Sequence, residues 1–494
     1  MSELPTHADV VVVGAGNAAI CAALAAREGG ANVIVLERAP EAMKGGNSRY
    51  TAGAMRVVYR GLDDLRQLMP ELTDEEIANA DFGAYTRDAF FDDMGKVTQY
   101  RSDPDLTETL IDQSFDTLKW MRTRGVRFLP MYGRQAFKVD GKFKFWGGLT
   151  VEAWGGGPGL IESLHHAAAE SGIPIFLNCR AQTLVMGDAG ITGIRVRQDG
   201  KSHLIHCRAV ILACGGFEAN AEWRTRYLGP GWELAKVRGT RYNTGDGIRM
   251  ALEAGAAAHG NWSGCHAVGW DRNAPDFGDL SVGDGFQKHS YPLGIMVNAA
   301  GRRFVDEGAD FRNYTYARYG REVLNQPQQF AWQVFDARVT DLLRDEYRIR
   351  EVTRVQANSL EDLAARLEGV DPAGFMETVR AFNAAVTTDL PFNPAIKDGR
   401  RTTGLAIDKT NWANPLDTPP FSAYQVTCGI TFTFGGLRVD RCARVLDEDD
   451  TPIPGLFAAG ELVGGLFYFN YPGGTGLTSG AVFGRIAGQS ATTV

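Results

Sequence analysis

The opening of the chain combines short apolar runs with a glycine-rich turn. The β-branched run Asp9-Val-Val-Val-Val-Gly14 is typical of a strand buried on both faces. An alanine-rich stretch from Ala18 to Glu28 favours a helix, and the run Asn32-Val-Ile-Val-Leu-Glu37 predicts a second strand. Strand, glycine turn, helix and strand follow one another within about 30 residues, which predicts a βαβ unit.

The middle of the first half changes from helical to strand-like patterns. Residues 60–145 are mainly helical in pattern, and the periodicity is clearest over 105–122. Three further strands are predicted from apolar alternation, at 174–185, 191–198 and 203–213.

The last 230 or so residues fall into two regions of different composition. Residues 262–430 are richer in aromatic residues, arginine and proline, with helical stretches near 336–348 and 359–387. The pattern of a strand followed by glycine returns at 455–460, and 478–490 predicts a closing helix. We therefore expect an α/β fold, in which a Rossmann-like nucleotide-binding domain (1–261 and 431–494) carries an inserted α+β capping domain (262–430).

The first glycine turn fits a dinucleotide-binding fingerprint. Gly14-Ala-Gly16-Asn-Ala-Ala matches G-x-G-x-x-A, in which the first glycine allows the tight turn and the second lets a pyrophosphate approach the backbone. The helix that follows offers free N–H groups to the phosphates. Glu37 ends the second strand, where a carboxylate accepts a hydrogen bond from a ribose hydroxyl. A ligand-free tight turn explains the glycines but not this acidic residue.

Both FAD and NAD use this fingerprint, and three further segments favour FAD. Gly45-Gly-Asn-Ser48 follows Glu37 closely, and Asn243-Thr-Gly-Asp-Gly247 introduces a helix. Gly460-Glu461 and Gly473-Gly-Thr-Gly-Leu477 precede the last helix, whose N-terminal amides would stabilise negative charge on a reduced flavin. The residues expected to bind FAD are Gly14, Gly16, Asn17, Ala18, Glu37, Arg38, Gly45, Gly46, Asn47, Ser48, Thr51, Ala52, Gly53, Ala181, Ala213, Gly215, Gly216, Thr244, Asp246, Gly460, Glu461, Gly474, Gly476, Leu477 and Thr478.

Composition and charge exclude several other classes of protein. The 494 residues include 51 basic and 59 acidic side chains, a net charge of −8 that argues against a nucleic-acid surface. The 7 cysteines include no Cys-x-x-Cys pair and no spacing typical of a metal centre, so we expect reduced thiols and no metal. The N-terminus shows no secretory signal. The uncharged stretch 10–26 is too short and too rich in glycine and asparagine for a transmembrane segment.

Longer motifs give the chain a family resemblance. They include Arg302-Arg-Phe-Val-Asp-Glu307 followed by Arg312, Thr433-Phe-Gly-Gly436 and Pro454-Gly-Leu-Phe-Ala-Ala-Gly-Glu461. With the N-terminal fingerprint, they make nearly the whole chain resemble the flavoprotein family of fumarate reductases and succinate dehydrogenases. The phrases Gly429-Ile-Thr-Phe-Thr-Phe434 and Tyr468-Phe-Asn-Tyr-Pro-Gly473 are similar to those of the FAD-dependent tricarballylate dehydrogenases within that family.

The resemblance implies hydride transfer between the flavin N5 atom and a carbon next to a carboxylate, with a proton moved at the neighbouring carbon. The resemblance makes Arg312 the proton-transfer residue, although it lies five residues after Glu307 where the family has four. His266 occupies the place of a histidine that binds the substrate carboxylate, and His289 is a second candidate for that role. The implied reaction is oxidation of a polycarboxylate, tricarballylate to cis-aconitate first among the candidates.

Two positions depart from the family pattern. Phe432 stands where fumarate reductases carry a carboxylate-binding histidine, and Tyr471 stands where they carry an arginine. These departures argue against fumarate or succinate bound in the usual pose, and favour a different acid or a different set of residues that bind its carboxylates. Other residues that could supply the missing contacts are Arg302, Arg303, Tyr50, Arg56 and Arg241.

Alternative functions stay open at this point. Tyr471-Pro-Gly473 is similar to the motif of the 3-ketosteroid dehydrogenases, in which the tyrosine polarises a ketone, and Tyr471 is a candidate hydrogen-bond donor to substrate in either case. A reductase of another unsaturated acid and a flavin-binding scaffold without turnover are further alternatives.

The stretch Gly46-Asn-Ser-Arg-Tyr50 lacks the histidine that some family members attach to flavin, so we expect noncovalent FAD. The resemblance also implies a cytoplasmic enzyme that passes electrons to a separate acceptor protein, membrane-bound in the tricarballylate system, which would place the enzyme at the inner face of the membrane.

Overall fold

The computed structural model describes residues 3–145, 148 and 150–494. The α-helices are α1 (Asn17–Glu28), α2 (Leu62–Leu68), α3 (Asp74–Asn79), α4 (Arg87–Thr98), α5 (Pro104–Thr123), α6 (Tyr132–Gln135), α7 (Gly156–Glu170), α8 (Ala221–Trp223), α9 (Asp246–Glu253), α10 (Arg312–Leu324), α11 (Leu360–Arg366), α12 (Pro372–Ala385) and α13 (Thr475–Ala491). The strands are β1 (Val10–Val13), β2 (Val33–Leu36), β3 (Ala54–Met55), β4 (Ala80–Asp81), β5 (Phe128–Pro130), β6 (Ala136–Val139), β7 (Lys142–Phe145), β8 (Val151–Ala153), β9 (Ile175–Phe176), β10 (Arg180–Gly187), β11 (Gly190–Gln198), β12 (Lys201–His206), β13 (Ala209–Leu212), β14 (Lys236–Val237), β15 (Ala258–Asp271), β16 (Ile295–Val297), β17 (Ala331–Phe335), β18 (Arg354–Ala357), β19 (Phe421–Leu437), β20 (Arg444–Leu446) and β21 (Pro452–Ala458).

A largely parallel sheet assembles both ends of the chain. Its order is β20-β21-β13-β1-β2-β9, and β1 pairs in parallel with β2 on one side and with β13 on the other. The last long strand, β21, pairs in parallel with β13, while β20 is antiparallel to β21. The four-valine strand β1 is buried throughout, as a central parallel strand requires. Because parallel strands share one carboxyl edge, the residues that follow β1, β2, β13 and β21 meet along that edge.

Small residues let the first and last long helices pack closely on this sheet. Gly484 lies so near α1 that an added Cβ would stand 2.4 Å from the carbonyl oxygen of Ala18, and Gly488 would approach Ala22 in the same way at 2.2 Å. The two glycines are four residues apart and therefore share a face of α13. This close approach brings the N-terminal ends of α1 and α13 to the same part of the sheet edge.

A second sheet stands over that edge and is built around the 17-residue strand β19. Its order is β14-β19-β17-β16, and β15 and β18 also pair with β19. The long antiparallel pair of β15 and β19 continues past both predicted domain boundaries, near 262 and 430, although its register shifts between Asn261 and Cys265 and between His266 and Ala267. The mixed α/β class with a Rossmann-like sheet is confirmed, and the domain limits stay predictions.

Three predictions of secondary structure are wrong in detail. The stretches 174–185 and 203–213, each predicted as one strand, are each divided between two sheets, as β9 with β10 and as β12 with β13. The first break has a local cause, since Asn178 turns the chain at a positive φ of 51°. The stretch 336–348, predicted to be helical, forms only short 3-10 turns at Ala337–Leu342 and Asp345–Tyr347.

Strands also interrupt the region predicted to be mainly helical, where β5, β6 and β7 follow α5. Among the residues that the structure describes, none of the helices is both long enough and apolar enough to cross a membrane.

Candidate active site

A deep cleft of about 1820 Å³, part of it open to solvent, follows the carboxyl edge of the parallel sheet. One end is formed by the turn after β1 and by the residues after β2. The other end lies between the N-terminus of α13 and the second sheet, where His266 and Arg312 line it. The cleft thus joins the predicted dinucleotide fingerprint to the predicted reaction centre.

Backbone, without side chains, forms the floor of the cleft at the fingerprint. Gly14 adopts a φ of 108°, and an added Cβ there would stand 2.4 Å from the carbonyl oxygen of Ala213. A Cβ on Gly16 would meet the carbonyl oxygen of Gly45 at 3.4 Å, so the two glycine loops lie close together. This surface is shaped for close approach of a phosphate to the N-terminus of α1.

The carboxylate of Glu37 is buried where β2 ends. Its Oε1 accepts a hydrogen bond from the backbone N–H of Ala39 at 2.7 Å. Burial raises the pKa of Glu37, and the surrounding backbone N–H groups oppose that rise. The position fits the acceptor that a ribose hydroxyl requires.

Arg38 and Asp246 close the same end of the cleft. Arg38 donates to Asp246 Oδ2 at 3.1 Å and to Thr244 Oγ1 at 2.6 Å, and Asp246 also accepts from Arg180 at 2.8 Å. This network ties the loop after β2 to the start of α9. Thr244 therefore lies behind Arg38 rather than on the cleft surface.

At the flavin end, amide side chains connect the three glycine loops. Asn17 Nδ2 donates to the carbonyl oxygen of Leu477 at 2.8 Å, which links the starts of α1 and α13. Asn47 Nδ2 donates to Glu218 Oε1 and to the carbonyl oxygen of Thr431, both at 2.6 Å. The N-terminus of α13, at Gly474 and Gly476, lines the cleft here. The glycine floor, the ribose acceptor and the helix N-terminus together fit FAD, whose flavin would lie between α13 and β19.

Two buried carboxyl groups lie at the flavin end, and of these Glu461 lines the cleft. Glu461 Oε1 accepts from the backbone N–H of Thr433 at 2.7 Å, and Glu218 accepts from the amide of Asn243 at 2.7 Å. Burial and the charge of Glu461 raise the pKa of Glu218 well above its usual range.

Arg312 occupies the first position of α10 and faces the far end of the cleft. Its Nη2 donates to the carbonyl oxygen of Arg134 at 3.2 Å, and its Nη1 lies 3.5 Å from His289 Nδ1. Burial lowers the pKa of Arg312, which makes its proton easier to remove than that of a solvated guanidinium. Burial and the charge of Arg312 lower the pKa of neighbouring Arg344 to about 9.

Asp284 holds two further arginines at the cleft wall. Arg238 donates through Nε at 2.9 Å and through Nη2 to Asp284 Oδ1, and Arg134 donates to Oδ2 at 2.5 Å. Asp284 and Arg238 are buried, at 7% exposure each. Arg312 adds a third guanidinium group to the lining of this wall, in which Asp284 is the one carboxylate among the described residues, so the lining is positive. Glu346 acts on Arg134 and Arg312 from outside the lining.

His266 lies among aromatic rings at the same end of the cleft. The rings of Tyr471, Tyr316 and Phe432 have their centres 4.8, 5.0 and 5.3 Å from that of His266. Burial, with a smaller effect from Arg238, lowers the pKa of His266 well below 6.5, so its ring is neutral. Within the described part of the chain, neither ring nitrogen has a hydrogen-bond partner. A neutral, unpartnered imidazole at 1% exposure offers one donor and one acceptor to a ligand.

The hydroxyl groups of Tyr316 and Tyr471 share a hydrogen bond of 2.5 Å next to His266. Burial raises the pKa of both tyrosines, so both hydroxyl groups stay protonated. One of the two therefore retains a proton to donate to a substrate oxygen.

The cleft brings most of the predicted site residues together. The three predicted catalytic residues, Arg312, His266 and Tyr471, all line it. Five predicted FAD-binding residues lie outside the described lining and instead support it from behind: Gly45, Gly53, Gly216, Thr244 and Thr478. Gly216, for example, leaves room for Glu461, because an added Cβ would stand 2.1 Å from Glu461 Oε1.

The alternative carboxylate contacts considered from the sequence lie away from the described cleft lining, and Arg303 among them is held in an ion pair. Arg303 binds both oxygens of Glu307, at 3.1 and 2.6 Å, and Glu307 also accepts from the backbone N–H of Met296 at 2.8 Å. Among described residues, these candidates stand outside the cleft lining: Arg302, Arg303, Tyr50, Arg56 and Arg241. The family motif thus contains a buried ion pair, between Arg303 and Glu307, which precedes Arg312 in the chain.

Sequence reasoning missed several residues of the cleft wall. Arg134, Gln135, Arg238, Asp284 and Tyr316 line the cleft, yet none lies in a recognisable motif. Arg238 lies just after β14, and Arg134 is contributed by the short helix α6. Tyr316 alone carried a signal, because it lies four residues after Arg312 and thus on the same face of α10.

Comparison with known proteins agrees with this geometry. A family model of the FAD binding domain matches residues 9–477. The probable fumarate reductase Ifc3 of Shewanella frigidimarina (strain NCIMB 400) is 31% identical over 492 residues, which cover 98% of this chain and 74% of that protein. The open conformation of a flavocytochrome c3 fumarate reductase has a TM-score of 0.72 at 29% identity, covering 99% of this chain and 78% of that chain.

A third similarity concerns the fold alone. The 3-ketosteroid Δ1-dehydrogenase of Sterolibacterium denitrificans has a TM-score of 0.74 at 22% identity, with 99% of this chain and 100% of that chain covered. Fold and cleft therefore define a flavoprotein oxidoreductase. The chain belongs to the FAD binding domain family, and it is an FAD-dependent oxidoreductase of the fumarate reductase type, acting on unsaturated or C–C bonds.

Proposed function

We propose that the protein is a dehydrogenase that oxidises a polycarboxylate at a C–C bond next to a carboxylate, with tricarballylate to cis-aconitate as the reaction to test first. The observation that carries this proposal is the positive cleft wall formed by Arg134, Arg238 and Arg312. Guanidinium groups bind carboxylates in a fixed fork geometry. Among the described residues that line this wall, Asp284 is the one carboxylate, while Glu346 also acts on Arg134 and Arg312 from outside the lining. The lining itself keeps an excess of positive charge suited to an anion with several carboxylates.

The neutral side of the cleft complements this wall. His266 and the Tyr316–Tyr471 pair donate hydrogen bonds without adding charge, so they orient an oxygen of the substrate beside the flavin position. Arg312 lies between the two sides, because it touches the backbone of Arg134 and its guanidinium carbon lies 5.3 Å from the ring centre of Tyr316. This place suits a group that takes a proton from the carbon next to the one that loses hydride.

Each participant has a defined task in the oxidation. FAD, when bound, supplies the two-electron acceptor that removal of hydride from a saturated carbon requires. Arg312 takes the proton in its neutral form, after it has released its own proton to water in the open part of the cleft, while Arg134 and Arg238 stabilise the negative charge that grows on the carboxylate as the C–H bond breaks. We infer a cytoplasmic enzyme, and the electrons then pass to a separate acceptor protein, membrane-bound by resemblance to the tricarballylate system.

The test is an anaerobic one. Purified holoprotein is mixed with tricarballylate, succinate or a 3-ketosteroid, and the flavin absorbance near 450 nm is followed. We expect tricarballylate to bleach the band, and Arg312→Ala to lose bleaching by at least about a thousandfold, as expected for removal of a proton-transfer group with its charge, while FAD stays bound. Arg302→Ala is the matched control, because Arg302 pairs with Glu377 at the surface. Bleaching by the steroid alone would overturn the proposal.

A ketone substrate is the second candidate function. The observation that favours it is the short hydrogen bond between Tyr316 and Tyr471, a pair suited to polarise a carbonyl oxygen. Phe432 and Phe467 contribute apolar surface beside that pair. A neutral steroid has no carboxylate for the arginines of the positive wall to bind, which is why the acid is proposed first.

A further inference from the structure

The short helix α6 presents an unusual side chain to the cleft. Gln135, at its last position, is 1% exposed and lines the cleft. Within the described residues, neither its Nε2 nor its Oε1 has a hydrogen-bond partner. A buried amide without partners destabilises a fold, so such a group is retained where a ligand completes its bonds.

The backbone around Gln135 is fixed rather than free to adjust. Its own N–H donates to the carbonyl oxygen of Met131 at 3.1 Å. The carbonyl oxygen of Arg134 accepts from Arg312 and from Arg344, and the side chain of Arg134 is held by Asp284. The amide is thus positioned from the same backbone that contacts the proposed proton-transfer residue.

Gln135 and His266 are connected to Arg312 through different elements of the fold. His266 reaches it by way of Tyr316, on β15 and α10, whereas Gln135 adjoins it by way of Arg134 on α6. An acid with carboxylates on two adjacent carbons is served by Arg312 and the groups on the His266 side. A further carboxylate on the Arg134 side needs a donor that does not compete with Asp284 for the guanidinium groups, and a neutral amide with two N–H donors provides it.

We propose that Gln135 is a specificity-determining residue, whose amide binds a carboxylate that a three-carboxylate acid has and a two-carboxylate acid lacks. This inference rests on the proposed function, since it names which part of the same cleft selects the acid.

The experiment compares Gln135→Leu with the wild-type holoprotein. Binding of tricarballylate and of succinate is measured by anaerobic titration of the flavin spectrum, and KM and kcat are measured with an artificial electron acceptor. We expect the dissociation constant and KM for tricarballylate to rise about tenfold to a hundredfold, the loss of a hydrogen bond to a charged group. The values for succinate should change less than about twofold, and kcat should change less than KM. Gln135→Asn keeps the amide on a side chain that is one methylene shorter, so it should give an intermediate loss of affinity for tricarballylate.

A matched glutamine separates binding from folding. Gln333 is also fully buried, but its Nε2 donates to the carbonyl oxygen of Lys288 at 2.9 Å and its Oε1 accepts from Tyr347 at 2.5 Å. Gln333→Leu should lower the Tm, whereas Gln135→Leu should leave the Tm unchanged or higher. Should Gln135→Leu lose FAD, Gln135→Met takes its place in the titrations.

Each result has a distinct meaning. Equal loss for both acids, no loss for either, or a fall in Tm with Gln135→Leu would overturn the role of Gln135 while wild-type bleaching by tricarballylate still supports the proposed function. Wild-type protein that neither binds nor is bleached by either acid would overturn both.

Discussion

At the residue scale, the two histidines predicted as carboxylate ligands are buried and neutral, and only His266 of the two is in the described cleft lining, since His289 lies beside Arg312 outside it. His266 and His289 are 1% and 2% exposed, and burial lowers the pKa of each well below 6.5. The charges of Arg238 and Arg312 act in the same direction as burial. Both histidines therefore serve as hydrogen-bonding groups, and the positive charge at the site comes from arginine.

This burial predicts how stability depends on pH. In the unfolded chain a histidine binds a proton below pH 6.5, whereas His289 in the folded protein does not, so stability is complete above pH 6.5 and falls below it. The expected slope is about 1.4 kcal/mol per pH unit for each such histidine. His289→Gln should reduce the pH dependence of the free energy of unfolding by the contribution of one histidine, as measured by urea unfolding between pH 5 and 7. His166→Gln, at an exposed position, is the control, and equal slopes for both variants would contradict the prediction.

At the element scale, the site depends on how closely α1 and α13 pack. Gly484 is buried on the face of α13 that meets Ala18 and therefore sets the distance between the two helix N-termini. The amide bond from Asn17 to Leu477 depends on the same distance. Helix packing and cofactor binding are thus coupled at this contact.

Gly484→Ala tests the coupling. Because the new methyl group would meet the Ala18 carbonyl oxygen at 2.4 Å, we expect a loss of about 1–3 kcal/mol in the free energy of unfolding and a lower FAD content. Tm and the ratio of flavin to protein absorbance measure the two effects. Gln489→Ala, on the exposed part of α13, should change stability by less than about 0.5 kcal/mol. An unchanged Tm and FAD content in Gly484→Ala would disprove the coupling.

The type and order of many helices and strands could be predicted from the sequence, because the patterns that specify them are local. The valines of β1, the turn at Gly14 and the alanines of α1 agree with one another in period and composition. The break at Asn178 carries no such signal, since an apolar run continues on both sides of a residue that turns the chain through its backbone alone. A helical pattern near 336–348 was equally misleading where tertiary packing allows only 3-10 turns.

At the scale of the whole molecule, cofactor binding unites distant parts of one chain. The loops that face the FAD position begin near residues 14, 45, 215, 243, 460 and 474. The fold places all of them on one edge of a parallel sheet, where noncovalent contacts suffice to hold a dinucleotide.

We expect FAD to be bound without a covalent bond. Trichloroacetic acid precipitation should release all the yellow colour into the supernatant, because the loop at 46–50 offers no histidine for attachment. Absorbance spectra of pellet and supernatant measure this directly. Flavin retained in the washed pellet would show the expectation to be wrong.

The cleft illustrates where prediction from sequence ends. Glycine loops and Arg312 could be located because each belongs to a motif with a fixed local shape or a family resemblance. Arg134 and Arg238 could not, because their importance arises from meeting at Asp284, and the three residues are brought together only by the tertiary fold. Gln135 was missed for the same reason, as an unpartnered amide is visible only once its surroundings are known.

The position of α13 has a consequence for biosynthesis. Roughly 450 residues separate the helix that begins at Asn17 from the one that begins at Thr475, and ribosomes add about 5–20 residues each second. The fingerprint turn is therefore synthesised about 20 to 90 seconds before its counterpart exists. During that interval α7 and β2 are available to pack against α1, but the face of α1 that receives Gly484 and Gly488 lacks its native partner until translation is almost complete.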